Sequence, residues 1–373
     1  MMIRRQLHII HRWLGLCLLL PLIVQGVTGT ILVLEPPLRP LASVVTTEGD
    51  VKPSNAIVAV ARNLAPADLR PVRFVAPQQA RTAAEVWFAP QASRSPRGTH
   101  LLRVDPVTLA PLGAIEQIGG AMDWLRRLHT NLLAPDYGGR AIVGWVGVGM
   151  MLLSLIGIPL WWPRSRRWRE AFTVSTRARG VTFQRQLHGV AGIWALLMLL
   201  TSSLTGAMLG FPQTVRNAMG LPPGGPPRAF AAVPVAAPIE PNLDAAVALA
   251  RGVAPDLAVR MIILPTGAGD PVRLFLGPPG TEGAATATTV TTNAAGSQLL
   301  SRQGPRTLVW GETMLRWAHD LHEGAGLGPL WRGATVLVGI VVPLMACTGA
   351  MMWLLRRRQR VAPADRVSLQ SQS

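Results

Sequence analysis

From Leu14 to Leu34 the chain carries no charged side chain, and His11 and Arg12 stand at the basic end of this apolar run. A helix of that length crosses about 30 Å of hydrocarbon. Backbone embedded there must satisfy its own hydrogen bonds, so the run is constrained to be helical. A cleaved signal peptide would be shorter and would end in a small-x-small site, which is missing. The run is also marked. His11 is followed by Gly15 and, further on, by Thr28-Gly29. The same two intervals separate His188 from Gly192 and from Thr205-Gly206.

Three more apolar runs follow: Ala141 to Trp162, Gly189 to Phe211 and Gly333 to Leu355. With 49% hydrophobic and only 15% charged residues, the composition suits a membrane protein better than a soluble domain. The net charge of +17 comes from arginines beside these runs: Arg4, Arg5 and Arg12; Arg164, Arg166, Arg167 and Arg169; Arg356, Arg357, Arg358 and Arg360. This is the positive-inside pattern. It explains the charge through the lipid bilayer, and no nucleic-acid partner is expected. Cys17 and Cys347 both lie inside apolar runs, so no disulfide framework or cysteine-rich zinc site is expected.

The layout follows. Residues 1–35 hold the first span and 36–120 a polar insert. Residues 121–163 hold an amphipathic segment and the second span, and 164–187 a basic loop. Residues 188–211 hold the third span and 212–316 a second insert. Residues 317–355 hold another amphipathic segment with the fourth span, and 356–373 a tail that reads as disordered after Val361. Glu35-Pro36-Pro37 is expected to end the first helix. The arginines put both termini and the 163–187 loop in the cytoplasm, with the inserts outside.

Within the first insert, Ser54–Leu64 reads as a helix with Ile57, Val60, Ala61 and Leu64 on one face. Strands are expected at Val72–Ala76, Glu85–Ala89 and Leu101–Val104, with a turn at Asp105-Pro106. In the second, Pro222–Pro227 and Ala231–Pro241 read as linker. Asn242–Gly252 reads as a helix before strands at Val259–Leu264, Val272–Leu276 and Thr288–Thr292. The halves match elsewhere too. Trp124 precedes His129 as Trp317 precedes His322, and Gly157 precedes Trp161 as Gly349 precedes Trp353. The expected fold is a membrane α-helical, four-helix transmembrane bundle. It is built from two repeated halves, each with an extracytoplasmic α+β insert.

Of the seven histidines, only His100 lies away from the membrane borders. Taken singly, each of the others reads as an interfacial anchor, like the Trp and Arg around it. Taken as pairs, His11 with His188 and His129 with His322 fall at opposite faces. Neutral imidazoles from two helices could fill both axial positions of a haem iron. His8 and His319, one turn away, are the substitutes. Zinc is an alternative through Asp320 and Glu323 beside His322, although two histidines fall short of its usual four ligands. Gln25, Thr28 and Thr205 take no role on sequence grounds. No Walker loop, dinucleotide fingerprint or Ser-His-Asp pattern is present.

His11-Arg12-Trp13-Leu14-Gly15 with Thr28-Gly29 resembles the PepSY-associated transmembrane family. So does Leu321-His322-Glu323-Gly324 with Thr348-Gly349-Ala350-Met351-Met352-Trp353. The resemblance covers nearly the whole chain, with the Ala/Thr/Gly-rich second insert the weaker match. It implies a bacterial inner-membrane protein with PepSY-like inserts. Members similar to di-haem siderophore-iron reductases would carry two b-type haems, here on His11, His129, His188 and His322. Electrons would pass outward from an unidentified donor to a ferric chelate, and ferrous iron would then leave a hard-oxygen chelator more readily. The alternative implied by the same resemblance is non-enzymatic. There the spans anchor PepSY-like inserts that bind or regulate an extracytoplasmic protein such as a peptidase.

Overall fold

The computed structural model describes residues 2–38, 47–77, 82–92, 98–117, 120–163, 168–222, 240–267, 269–278, 288–304 and 309–361. Arg164, Arg166 and Arg167, most of both linker stretches and the tail from 362 lie outside these residues. In chain order the helices α1 to α6 are Met2–Cys17, Leu19–Leu38, Ser54–Leu64, Ala121–Asn131, Gly139–Trp161 and Trp168–Ala171. Helices α7 to α12 are Gly180–Trp194, Leu196–Gly210, Pro212–Ala218, Leu243–Val253, Trp310–His322 and Gly328–Val361. Strands β1 to β4 are Leu69–Val75, Ala84–Pro90, His100–Val104 and Glu116–Gln117. Strands β5 to β8 are Ala258–Ile263, Val272–Gly277, Thr288–Thr292 and Leu299–Gln303. They form two units: a helical one of Met1–Pro36, Trp124–Gly224 and Val309–Ser373, and one of Pro37–Asp123 with Gly225–Leu308.

In the helical unit, α5 and α12 are each long and apolar enough to cross a membrane. The pairs α1–α2 and α7–α8 qualify when each is taken as one broken span, bent by 61° and 68°. This is a membrane-type helical protein with two to four candidate spans. The first and third apolar runs were each read as one helical span, and the structure breaks both helices. Pro21 explains the first. It has no N–H for the Cys17 carbonyl, and its ring crowds that carbonyl, so the axis breaks at Leu18. The second break, at Ala195, has Met198 where the first has proline, but Gly189 and Gly192 occupy the turn before it. The first helix also runs on to Leu38 rather than ending at Glu35-Pro36-Pro37.

Leu22, Val146, Leu199, Val338 and Val342 form the apolar core of this unit. Small residues bring the helices close around it. A Cβ on Gly26 would lie 2.8 Å from the Gly339 carbonyl oxygen, and one on Gly147 would lie 3.0 Å from the Ala207 nitrogen.

The second unit is a single eight-stranded antiparallel sheet in the order β4-β3-β2-β1-β5-β6-β7-β8. The strands of both inserts therefore belong to one sheet, joined where Arg73, Phe74 and Val75 pair with Ile263, Ile262 and Met261. Two separate modules were expected. α3 and α10 contribute to the sheet's core with Ile57, Val58, Ala61, Leu243, Ala246 and Ala250. The buried face of α3 is thus turned toward Val58, and Leu64 is exposed. The two helices also cap each other. The Asp244 carboxylate accepts from the Ser54 N–H at 2.7 Å, and the Asn55 side-chain oxygen accepts from the Leu243 N–H at 2.8 Å. At the Asp105-Pro106 turn, burial alone would raise the Asp105 pKa. Hydrogen bonds from Thr47 and from the Val107 and Thr108 N–H groups outweigh burial and hold it below the usual carboxylate value. The strands β4 and β8 were not anticipated. Both lie at the sheet's ends, where alternation of buried and exposed side chains is weakest.

Candidate functional site

Each of four histidines rests on a glycine of another helix. A Cβ on Gly29 would lie 3.0 Å from His129 Cε1, and one on Gly206 would lie 3.0 Å from His322 Cε1. At Gly349 and His188 the distance is 3.7 Å, and at Gly157 and His11 it is 3.8 Å. The residue before the glycine supplies the next contact. Thr28 Oγ1 is 2.8 Å from His129 Nδ1, Thr205 Oγ1 is 3.0 Å from His322 Nδ1, and Thr348 Oγ1 is 2.9 Å from His188 Nδ1.

These contacts select a tautomer. Thr28 already donates its hydroxyl proton to the Val24 carbonyl at 2.6 Å, Thr205 to Thr201 at 2.8 Å and Thr348 to Leu344 at 2.9 Å. With its proton on the carbonyl each hydroxyl accepts, and the matching tautomer has Nδ1 carry the proton and donate it. His188 Nδ1 also faces the Met345 carbonyl at 3.1 Å, which can only accept. Nε2 is left as an unprotonated lone pair. A histidine whose Nδ1–H is tied to an oxygen, with Nε2 free, is the usual arrangement of a metal-ligating imidazole. His11 departs from the set. Ile156 stands where the others have threonine, and His11 Nδ1 is buried without a hydrogen bond.

The rings meet in two pairs. The centroids of His11 and His188 are 6.1 Å apart with the planes at 85°, and those of His129 and His322 are 6.2 Å apart at 44°. All four sequence-selected histidines are thus brought together, two and two. His129 and His322 lie on α4 and α11, outside the candidate spans. Burial, and then neighbouring positive charge, lowers both pKa values to about 4, so these imidazoles are neutral at pH 7. The two substitutes are placed differently. His8 is exposed. His319 is half exposed and turned to Glu323, with Nε2 at 3.2 Å from the carboxylate. Among the described residues no group of three or more His, Cys, Asp or Glu converges on a metal-sized site.

The His11–His188 pair lines a cavity of about 920 Å³, near the upper end of the range for small-molecule and cofactor sites. Its deeper wall is apolar, including Leu16, Met150, Leu153 and Met345. Two imidazole nitrogens, with no carboxylate among the described residues joining them in a metal-sized group, suit a metal that arrives with its other ligands already in place. Sequence reasoning found the histidines but missed the roles of Thr28, Thr205 and Thr348. Their signal was present: each precedes a glycine, and two of the pairs fall at one fixed interval from a histidine.

A protein of Pseudomonas aeruginosa described as uncharacterized is 30% identical over 277 residues, which is 67% of this chain and 66% of that relative's length. The family model described as "PepSY-associated TM region" matches residues 8–356, almost from end to end. By that match, the chain belongs to the PepSY-associated transmembrane family.

Proposed function

We propose that the protein is a four-span haem protein of the bacterial inner membrane that passes electrons outward to a chelated ferric ion. In this reading it is built from two repeated halves. α1–α2, α4 and α5 correspond to α7–α8, α11 and α12, and the strands of each insert run outward from the centre of the shared sheet. Both termini face the cytoplasm and the inserts lie outside, as the arginine distribution favours.

The observation that carries the reading is the spacing of the paired rings. Two imidazoles in line on one iron would each sit roughly 2 Å from it, by analogy with other metal–histidine bonds. With each ring centre about 1.15 Å further back, the centroids are roughly 6.3 Å apart. The observed separations of 6.1 and 6.2 Å fit that value at both pairs. The glycines fit too, since a side chain at Gly29 or Gly206 would displace the ring resting there. Haem would supply the one-electron chemistry when bound. His11 with His188, and His129 with His322, would hold it; the protein's part is to keep each imidazole rigid and neutral and to aim Nε2. Taking α1 and α2 as legs of 1.5 Å per residue joined at 61°, His11 and Gly29 are roughly 23 Å apart. The two sites would then stand near opposite faces of the bilayer.

The test is an absorbance spectrum of protein purified in detergent. A red protein with a low-spin, bis-histidine spectrum is expected, and His188→Ala and His322→Ala should each lose about half of the haem. A colourless protein, or full haem in both variants, would overturn the reading. The anchored, non-enzymatic PepSY module would then be the better account.

A further inference from the structure

The cavity at the His11–His188 pair is apolar inside and basic at one end. Five arginines line it against one acid, Glu170. Three of the five are otherwise engaged or lie outermost. Arg4 donates to the Leu160 carbonyl at 2.8 Å, Arg357 lies over the Trp353 ring, and Arg185 is exposed. Arg12 also lies over an aromatic ring, that of Trp13 at 5.2 Å, but it and Arg356 are half-buried, and neither forms an ion pair with a carboxylate among the described residues. Arg12 Nε is buried with no hydrogen-bond partner. At the other end of the same unit, Arg126 meets Glu35 at 2.7 Å and Arg140 donates to the Leu209 carbonyl at 2.9 Å, while Arg332 Nε is buried without a hydrogen bond, as Arg12 Nε is.

A half-buried guanidinium without a counter-charge is costly, and a planar carboxylate is its best geometric match. The positions suit one ligand. Arg12 adjoins His11 in sequence. Arg356 lies seven residues beyond Gly349, on which His188 rests. That is two helical turns, or about 10.5 Å, along the same face of α12. A flat apolar ring gripped by the histidines, with acidic arms on one edge, would bring those arms to the arginines.

We propose that Arg12 and Arg356 bind the two carboxylates of the porphyrin held at the inner site, so that its acidic edge points to the basic mouth and its apolar edge into the bundle. This rests on the haem reading above. It adds an orientation and names the residues that impose it.

The experiment uses the full-length protein from haem-starved cells, refilled in detergent with iron protoporphyrin or with its dimethyl ester. The ester keeps the ring and the iron but lacks the charged arms. Wild type should take the free acid at the inner site at least tenfold more tightly than the ester. The Arg12→Gln, Arg356→Gln double variant should lose that preference, and the Lys double variant should keep part of it. The outer site is the internal control: its occupancy should not change, which also reports that the variant is folded. If the double variant prefers the free acid as strongly as wild type does, the arginine assignment is overturned and the haem reading stands. If wild type binds neither porphyrin, both fall. Phosphate-bearing lipid as the true ligand of these arginines would appear as an unchanged porphyrin preference, and would equally overturn the assignment.

Discussion

Thr28 and Thr205 decide which nitrogen each outer histidine offers. The hydroxyl proton of each is held by a carbonyl one turn back, so the oxygen is left only as an acceptor. Valine has the shape of threonine without that oxygen. Thr28→Val should leave the His129 Nδ1–H poorly satisfied, a cost of about 1–3 kcal/mol for a buried donor. It should also weaken outer-site haem affinity about tenfold, the lower end of the range for losing such a support. Thr205→Val should do the same through His322. Ile156 marks the reverse case, because His11 lacks the threonine hydroxyl that its three counterparts have. Ile156→Thr should therefore tighten the inner site. Haem titration of the purified variants checks all three, and affinities equal to wild type would show that the hydroxyls do not aim the rings. The repeated Thr-Gly pairs were legible from sequence, but the histidines they serve were not: Thr28 and His129 are separated by 101 positions, and Thr205 and His322 by 117, so no local pattern links them.

At the scale of elements, hydropathy located the apolar runs and alternation located six of the eight strands. What it could not locate was where the axes bend and which strands pair across the chain. An apolar run reads the same whether straight or broken, and only Pro21 hinted at one of the two breaks. The β1–β5 pairing is equally silent, because each strand's alternation would suit any antiparallel neighbour. That pairing has a measurable consequence. Phe74 is buried in β1, opposite Ile262 of β5 and Val86 of β2. Phe74→Ala should cost about 3–5 kcal/mol by the cavity it leaves. Because the core is continuous, hydrogen exchange should accelerate in β5 and β6 as well as in β2 and β3. Acceleration confined to residues 54–117 would mean that the inserts are independent modules despite their shared sheet.

The whole molecule adds a constraint that no single element carries. The inserts pair strand to strand, so both must lie on one side of the membrane. The chain between them must then cross an even number of times. If α5, a candidate span by length and apolarity, crosses the membrane, the bent pair α7–α8 must cross as well. If it were a re-entrant loop, β5 would emerge on the wrong side to meet β1. The same logic does not reach α1–α2, which precedes both inserts. There the argument is electrostatic: Arg4, Arg5 and Arg12 flank its start, as Arg356 and Arg357 flank the end of α12. Reporters fused at Ala92 and Gly283 should therefore both read outside, and reporters at Ala178 and at the N-terminus should both read cytoplasmic. Opposite readings at Ala92 and Gly283 would contradict the shared sheet itself. An N-terminus that reads outside together with Ala92 would make α1–α2 a re-entrant hairpin. His11 would then lie near the outer face, far from His188 at the inner one, and the inner pair could not form across a bilayer. The position of one terminus thus tests the geometry of the site as directly as its spectrum does.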